Sequence, residues 1–111
     1  MNPGDIEQDQ AKRFDGHDEV YLDIGILYYK KNNYRLAIDT LDQFLVKHMP
    51  RDDKRAEGLY YKGKSHLQLG QSEKAVKNYM ELLESMPDSI YASAARSELE
   101  EIEWRKSLNS Q

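Results

Sequence analysis

Apolar residues recur at helical spacing along residues 56–88, in two arms separated by a short turn. In the first arm Leu59, Gly63 and Leu67 share one helix face, and Gly70 ends the helix. The second arm ends at Pro87. Its apolar stripe consists of Ala75, Val76, Tyr79, Leu82, Leu83 and Met86. Neither arm can bury its stripe alone, so this helical hairpin predicts a neighbour of the same kind.

Residues 18–49 have the same plan, 38 positions upstream. A first helix ends near Lys31, an Asn32-Asn33 turn follows, and a second helix ends at Pro50. Asn tolerates the left-handed backbone conformation that a helix C-terminus often requires, as Gly70 does in the second copy. The aligned pairs are Tyr21 with Leu59, Gly25 with Gly63, Ala37 with Ala75, and Leu45 with Leu83.

These positions resemble the tetratricopeptide repeat (TPR) pattern over residues 18–105. The first copy reads Tyr21-x-x-Ile24-Gly25-x-x-Tyr28, followed by Ala37, Leu41, Phe44 and Pro50; the second matches through Leu59, Gly63, Ala75, Tyr79, Leu82 and Pro87. The usual TPR period is about 34 residues, so we place the four extra residues in the loop Pro50 to Arg55. Lys62 and His66 depart from the pattern, because they stand where the first copy has Ile24 and Tyr28.

A narrower resemblance rests on two phrases, AIDTLDQFL before a proline and MPDSIYASAARSELEEI. Both are similar to bacterial envelope TPR proteins of the outer-membrane assembly lipoprotein and Tol-Pal-associated types. The implied setting is the cell envelope if the chain is an excised domain. As written, the chain shows no signal-peptide pattern at its N-terminus, which favours the cytoplasm.

The predicted fold is all-α: two TPR helical hairpins plus a C-terminal capping helix, forming a short right-handed α-solenoid. Residues 1–17 are expected to form a polar tail, with a docked helix over 6–14 as the alternative. Residues 18–107 form the TPR domain, divided into repeat one (18–51), repeat two (56–89) and the capping helix (89–107). Asp18, Ser72 and Ser89 are the expected N-caps. In the capping helix, Ile90, Ala94 or Ala95, Leu99 and Ile102 are expected inward, and Arg96, Glu98, Glu100, Glu101 and Glu103 mostly outward.

Composition narrows the function classes. Charged residues make up 32% of the 111 residues and hydrophobic residues 39%, which suits a thin solenoid with much surface. The net charge of −4 argues against nucleic acid or an anionic membrane as the main partner. There is no cysteine and no apolar run long enough to span a bilayer, so neither a disulfide framework nor direct membrane insertion is expected.

A peptide-binding groove is the predicted functional site. In the first helix Tyr21, Ile24 and Tyr28 are expected to pack on the second helix, so that a second apolar stripe faces the concave side, the usual peptide groove of TPR proteins. The alternative is that the N-terminal tail or a second copy covers this stripe. Glu19 and Glu57 are expected at the groove, whose predicted binding residues are Leu22, Ile26, Tyr29, Asn33, Tyr60, Lys64, Leu67 and Gln68.

Catalysis and cofactor binding are not expected. His17, His48 and His66 lack metal-ligand spacing, and no phosphate loop or nucleophile–base motif is present. Trp104 either seals the core or marks an interface. The predicted function is a non-catalytic scaffold that binds a peptide or helix of a partner protein. A self-assembling homo-oligomeric unit is the first alternative, and a regulatory subunit of an enzyme is the second.

Overall fold

The computed structural model describes residues 19–47 and 52–110, and this part of the chain is all-α. The described part of α1 covers residues 19–30; the other helices are α2 (Tyr34–Lys47), α3 (Asp52–Gln68), α4 (Ser72–Ser85) and α5 (Ile90–Asn109). The expectations for the tail 1–17, the Asp18 cap, His48 and the helix end at Pro50 lie outside the described residues. No strand occurs within the described ranges.

Neighbouring helices in the chain are also neighbours in space. Helix α3 packs on α2 and α4, α4 packs on α5, and α3 also touches α5. Helix α1 lies against α2, because Gly25 faces the Leu41 side chain. The helices therefore form a small TPR-like solenoid, as the repeat pattern predicts.

The turns of the two hairpins have the same hydrogen bonds, 38 positions apart. Asn32 and Gly70 adopt positive φ angles of 65° and 76°. The amide of Asn33 donates to the Tyr28 carbonyl at 2.8 Å, and the amide of Gln71 donates to the His66 carbonyl at 2.9 Å. This is the Schellman arrangement of a helix C-terminus, with the left-handed residue at the position that follows the C-cap. The predicted left-handed roles of Asn32 and Gly70 are confirmed.

The core lies between the helices and is built around two close approaches. Gly25 makes room for Leu41, and Gly63 makes room for Tyr79. A Cβ atom added at Gly63 would lie 2.5 Å from Tyr79 Cε1, well inside normal contact. Small residues also let the later helices approach closely. The fully buried large side chains in the core are Tyr79, Phe44, Leu22, Leu41 and Leu82.

Helix α1 presents a different face to the core than the sequence pattern predicts. Leu22 is 1% exposed, whereas Ile24 is 38% exposed. The expectation that Ile24 packs inward and Leu22 lines an open groove is therefore wrong. Gly25 fixes the rotation of α1, because it must face the bulky Leu41 side chain. Leu22, one turn before Gly25, then points into the same interior.

The connection between the hairpins also differs from the prediction. Helix α3 begins at Asp52, so most of the extra residues extend that helix by a turn rather than forming a loop. The added turn is tied to its surroundings by ion pairs, since Arg55 contacts Glu81 at 2.5 Å and Lys54 contacts Glu19 at 3.6 Å. These ion pairs, from the added turn of α3 to Glu19 and Glu81, favour its helical conformation.

Of the two N-caps predicted for α4 and α5, the one for α5 is confirmed and the one for α4 is wrong. Ser89 is the N-cap of α5, and its side chain accepts a hydrogen bond from the Tyr91 amide at 3.0 Å. Ser72 is the first residue inside α4, where Gln71 occupies the N-cap position without a side-chain cap. The carbonyl of Gln71 accepts from Ala75, because the preceding Schellman turn ends one residue earlier than a Ser72 cap requires.

Helix α5 is not sorted cleanly into an apolar and a charged face. Ala95 and Ile102 are buried as expected, and Ala92 joins them. Ile90, expected inward, is 81% exposed because it lies on the opposite side of the helix from these residues. Trp104 is 63% exposed, so it does not seal the core.

Candidate peptide-binding groove

A cluster of tyrosine rings joins the faces of α1, α3 and α5. Tyr29 of α1 meets Tyr61 of α3 edge-on, with ring centroids 5.5 Å apart. Tyr60 of α3 contacts Tyr61 at 5.4 Å and Tyr91 of α5 at 5.5 Å. Such tilted and edge-to-face pairs stabilise packing beyond the area they bury. We call these four residues, together with Tyr79, the tyrosine cluster.

Lys64 lies beside this cluster. Its Nζ is 5.8 Å from the Tyr29 ring centroid and 5.5 Å from that of Tyr60. It is also 3.5 Å from a carboxylate oxygen of Glu98 on α5. Burial lowers the pKa of Lys64, but the Glu98 charge and the two tyrosines outweigh it and raise the pKa overall. The ammonium group is therefore charged at neutral pH and links all three helices.

The hydroxyl groups of Tyr60, Tyr79 and Tyr91 have raised pKa values and stay protonated at neutral pH. Burial, and then the negative charge of Glu98, raise the pKa of Tyr79. Burial, and then Glu57, raise the pKa of Tyr91 to about 12. At the partly exposed Tyr60 and Tyr91, this surface thus offers neutral aromatic rings with hydroxyl groups that can donate hydrogen bonds.

The surface between α3 and α5, which we call the valley, carries Tyr60 and Lys64 on one side and Tyr91 and Glu98 on the other. At one end of this valley lies a polar cleft of about 480 Å³. Three predicted site residues, Lys64, Leu67 and Gln68, meet there. Its charged side chains have both signs, and Arg105 pairs with Glu101 at 2.7 Å. We call this the polar cleft. Its other lining residues are Ser72, Glu98, Glu101, Ile102, Arg105, Lys106 and Asn109.

A second pocket, of about 590 Å³, lies at the opposite end of the same valley. The N-terminal turns of α3 and the connection from α4 to α5 form its walls. We call it the acid-rimmed pocket. It is lined by Asp53, Lys54, Glu57, Ser85, Met86, Pro87, Asp88, Ser89, Ile90 and Tyr91. Of the residues that line this pocket, the sequence pattern places only Glu57 at the groove.

The structure brings together five of the eight predicted binding residues. Lys64 lies beside the rings of both Tyr29 and Tyr60, and Lys64, Leu67 and Gln68 line the polar cleft. The other three residues lie elsewhere. Leu22 is in the core, Ile26 is half-buried against that core, and Asn33 is exposed in the first hairpin turn, where its carbonyl accepts from the Ala37 amide.

Glu98 is the main functional residue that sequence reasoning misplaced. It was expected on the outer charged face, yet it pairs with Lys64 in the valley. A repeat period of 34 residues, rather than the 38 that separates the two hairpins, aligns Glu98 with Lys64 and Tyr91 with Glu57. The regular TPR period, applied to the capping helix, was the signal that could have found both.

The two residues that depart from the TPR pattern are held by structural contacts. His66 is buried, with its Nδ1 2.6 Å from Gln71 Oε1. Lys62 forms an ion pair with Asp42 at 2.5 Å rather than facing His66. Within residues 19–47 and 52–110, no group of three or more histidines or carboxylates is placed to hold a metal ion. No helix in this part of the chain is both long and apolar enough to cross a bilayer.

Comparison with known proteins yields two findings. The model of the YfiO family, described as outer membrane lipoprotein, matches residues 15–108. A curated relative, the inactive peptidyl-prolyl cis-trans isomerase shutdown of Bombyx mori, is 31% identical over 68 residues, which is 61% of this chain. The match spans 15% of the length of that relative. No solved structure matches the chain significantly.

Proposed function

This chain belongs to the YfiO family of outer membrane lipoproteins, and we propose that it is a non-catalytic scaffold that binds a peptide or helix of a partner protein along the valley between α3 and α5. The match over most of the chain supports a TPR-type protein of the bacterial envelope, a class whose repeats join proteins together. The binding site is inferred from the groove itself.

The observation that carries this proposal is the contact of the tyrosine cluster with Lys64 and Glu98. Tyrosine is a rigid side chain with an apolar body and a polar tip, and it is enriched at protein interfaces. The side chains of Tyr29 and Tyr60 are partly exposed, and both lie next to the ammonium group of Lys64. A surface of this kind suits a segment with a few apolar anchors and backbone groups that accept hydrogen bonds.

The extent of the valley adds support. The polar cleft and the acid-rimmed pocket lie at its two ends, and Tyr60 joins them because its ring contacts Tyr91 of the pocket and lies beside Lys64 of the cleft. A bound segment would therefore meet apolar contacts, aromatic rings and charges of both signs in sequence. This combination of contacts favours selective recognition of one partner over non-specific binding.

The test begins with peptides selected from a random display library against the intact chain. A photo-crosslinking amino acid replaces Gln68 in the polar cleft or, as the matched control, Gln43 on the exposed side of α2. Selected peptides should crosslink to the chain labelled at position 68 and not to the chain labelled at 43. Crosslinking from both positions, or only from 43, would contradict the proposal.

Affinity measurements complete the test. Lys64→Gln should weaken the selected peptides by about tenfold, because it removes a charge held between two rings and a carboxylate. Lys77→Gln is the control, since Lys77 is exposed on α4 away from the valley. Equal effects of the two variants would place the binding site outside the valley.

A self-assembling unit is the second candidate, and exposed apolar side chains favour it. On α5, Trp104 and Leu108 lie one turn apart and are both exposed. On α1, Val20, Ile24 and Leu27 form a second exposed stripe. Two such stripes at opposite ends of the helix stack could pair between copies of the chain, which a mass measurement distinguishes from peptide binding.

A further inference from the structure

The acid-rimmed pocket is suited to bind one apolar side chain. Four of its lining residues are apolar or aromatic: Met86, Pro87, Ile90 and Tyr91. Met86 is buried, whereas Ile90 is largely exposed, so the apolar surface runs from the interior out to solvent. Its volume of about 590 Å³ is within the range of pockets that take ligands, and it is ample for a leucine or phenylalanine side chain.

The charges around this pocket are mostly negative. Asp53, Glu57 and Asp88 line it, against the single cation Lys54. Lys54 is already 3.6 Å from Glu19, whereas Asp53 and Asp88 have no ion-pair partner among the described residues. Burial raises the pKa of Tyr91 first, and the Glu57 carboxylate beside it raises this pKa further. A cation brought to this rim would therefore be attracted to unpaired carboxylates.

From this complementarity we propose that the acid-rimmed pocket binds an apolar side chain of a partner segment in which that residue is flanked by Lys or Arg. The apolar side chain contacts Met86 and Ile90, and the flanking cations face Asp53 and Asp88. This inference rests on the proposed function, because it assigns one end of the same valley to a stated part of the partner. It also gives the bound segment a direction, with its basic end at the N-termini of α3 and α5.

The experiment uses three short labelled peptides with blocked termini, measured by fluorescence anisotropy on the intact chain. The first has one leucine between two lysines, the second replaces the lysines by glutamates, and the third replaces the leucine by glycine. The first should bind at least about tenfold more tightly than either of the others, and salt should weaken it. Equal binding of the lysine and glutamate peptides would overturn the assigned charge preference.

Variants locate the binding. Asp53→Asn combined with Asp88→Asn, and separately Ile90→Ser, should each weaken the first peptide by about three- to tenfold. The affected side chains are exposed, so the fold is retained and thermal melting verifies it. Asp39→Asn and Val46→Ser are the matched controls, exposed on α2 and remote from the pocket. Weakening by the controls as large as that by the pocket variants would overturn the inference.

Further outcomes of these experiments distinguish a failure of this inference from a failure of the proposed function. If Lys64→Gln weakens the first peptide but the pocket variants do not, the inference fails and the valley is still the binding site. If neither set of variants affects the first peptide, the inference fails; the proposed function fails as well only if Lys64→Gln also leaves the affinity of the selected peptides unchanged. If the pocket variants instead abolish self-association seen by light scattering, the occupant is a second copy of the chain and the inference is wrong.

Discussion

At the scale of single residues, the close approach at Gly63 controls the fit between α3 and α4. A Cβ there would lie 2.5 Å from Tyr79, whose ring is fully buried and cannot move aside. We expect Gly63→Ala to lower the free energy of unfolding by about 1–3 kcal/mol, even though alanine favours the helix by about 1 kcal/mol. Urea unfolding followed by circular dichroism measures the change.

Gly58→Ala is the matched control for that variant. Its added Cβ would lie 3.1 Å from the ends of Leu45 and Phe44, which need to shift by only a few tenths of an ångström. The better helix propensity of alanine should offset this contact, leaving stability within about 0.5 kcal/mol of wild type. A loss at Gly58 equal to that at Gly63 would show that the Tyr79 contact is not the cause.

A second residue-scale prediction concerns Tyr91. Its pKa is raised to about 12 in the folded chain, above the ordinary value of 10.0, first by burial and then by Glu57. The folded state therefore keeps this proton longer than the unfolded state. The resulting stabilisation is full below pH 10 and is lost as the pH rises from 10 towards 12.

Thermal melting at several alkaline pH values tests this dependence. The melting temperature of wild type should fall more steeply between pH 10 and 12 than that of Tyr91→Phe, which has no phenol to ionise at this position. Tyr34→Phe serves as the control, because the Tyr34 hydroxyl donates to Asn32 at an exposed site. Parallel curves for wild type and Tyr91→Phe would contradict the assignment.

Single residues also show how far the sequence could predict the groove. The repeat pattern predicts Tyr29, Tyr60 and Lys64 on one groove, and the structure places Lys64 beside both rings; their role in binding stays a prediction. Leu22 was misplaced since helical spacing gives two adjacent stripes on α1 and does not say which faces inward. That choice depends on the contact between Gly25 and Leu41, which joins two helices. A pattern within one helix cannot reveal it.

At the scale of helices, the cap at Ser89 fixes the start of α5 and thereby the wall of the acid-rimmed pocket. The Ser89 side chain accepts from the Tyr91 amide at 3.0 Å. Ser89→Ala should destabilise the chain by about 1 kcal/mol, because it leaves an amide of the first turn without its partner. Chemical denaturation gives the difference, and amide hydrogen exchange in α5 should rise.

Ser72→Ala distinguishes a cap from an ordinary serine at a helix start. Ser72 lies inside α4, and the cap position is held by Gln71. Alanine favours the helix interior more than serine, so this variant should be neutral or slightly stabilising. A loss as large as that of Ser89→Ala would mean that Ser72 is the cap after all, as the sequence suggested.

Helix existence and order were predictable, whereas two helix boundaries were not. Both hairpin turns follow from Asn and Gly at positions that need positive φ. The start of α3 at Asp52 was missed because Asp-Asp-Lys-Arg has no apolar periodicity and reads as a loop. Lys54 and Arg55 of this turn form ion pairs with Glu19 and Glu81, which are distant in sequence, so a local pattern does not reveal these contacts.

At the scale of the whole molecule, the question is whether the described helices bury their apolar side chains among themselves or leave some of them for a second copy of the chain. Helix α5 buries Ala92, Ala95 and Ile102 against the rest of the stack, so the last hairpin is covered on its inner side. Besides Ile90 at its first turn, the large apolar side chains that stay exposed on α5 are Trp104 and Leu108, and these two lie among charged residues. The chain also carries a net charge of −4, which opposes close approach of two copies.

We therefore expect light scattering after size exclusion to give a constant mass near 13.0 kDa from micromolar to near-millimolar concentration. A constant mass leaves the valley free for a foreign partner, as the proposed function requires. A mass that rises with concentration, and returns to 13.0 kDa in Trp104→Ser with Leu108→Ser, would favour the self-assembling unit instead. Because these two residues do not line the acid-rimmed pocket, their loss should leave binding of the lysine-flanked peptide unchanged. Association through the ends of the stack and recognition in the valley are thus separable in one protein.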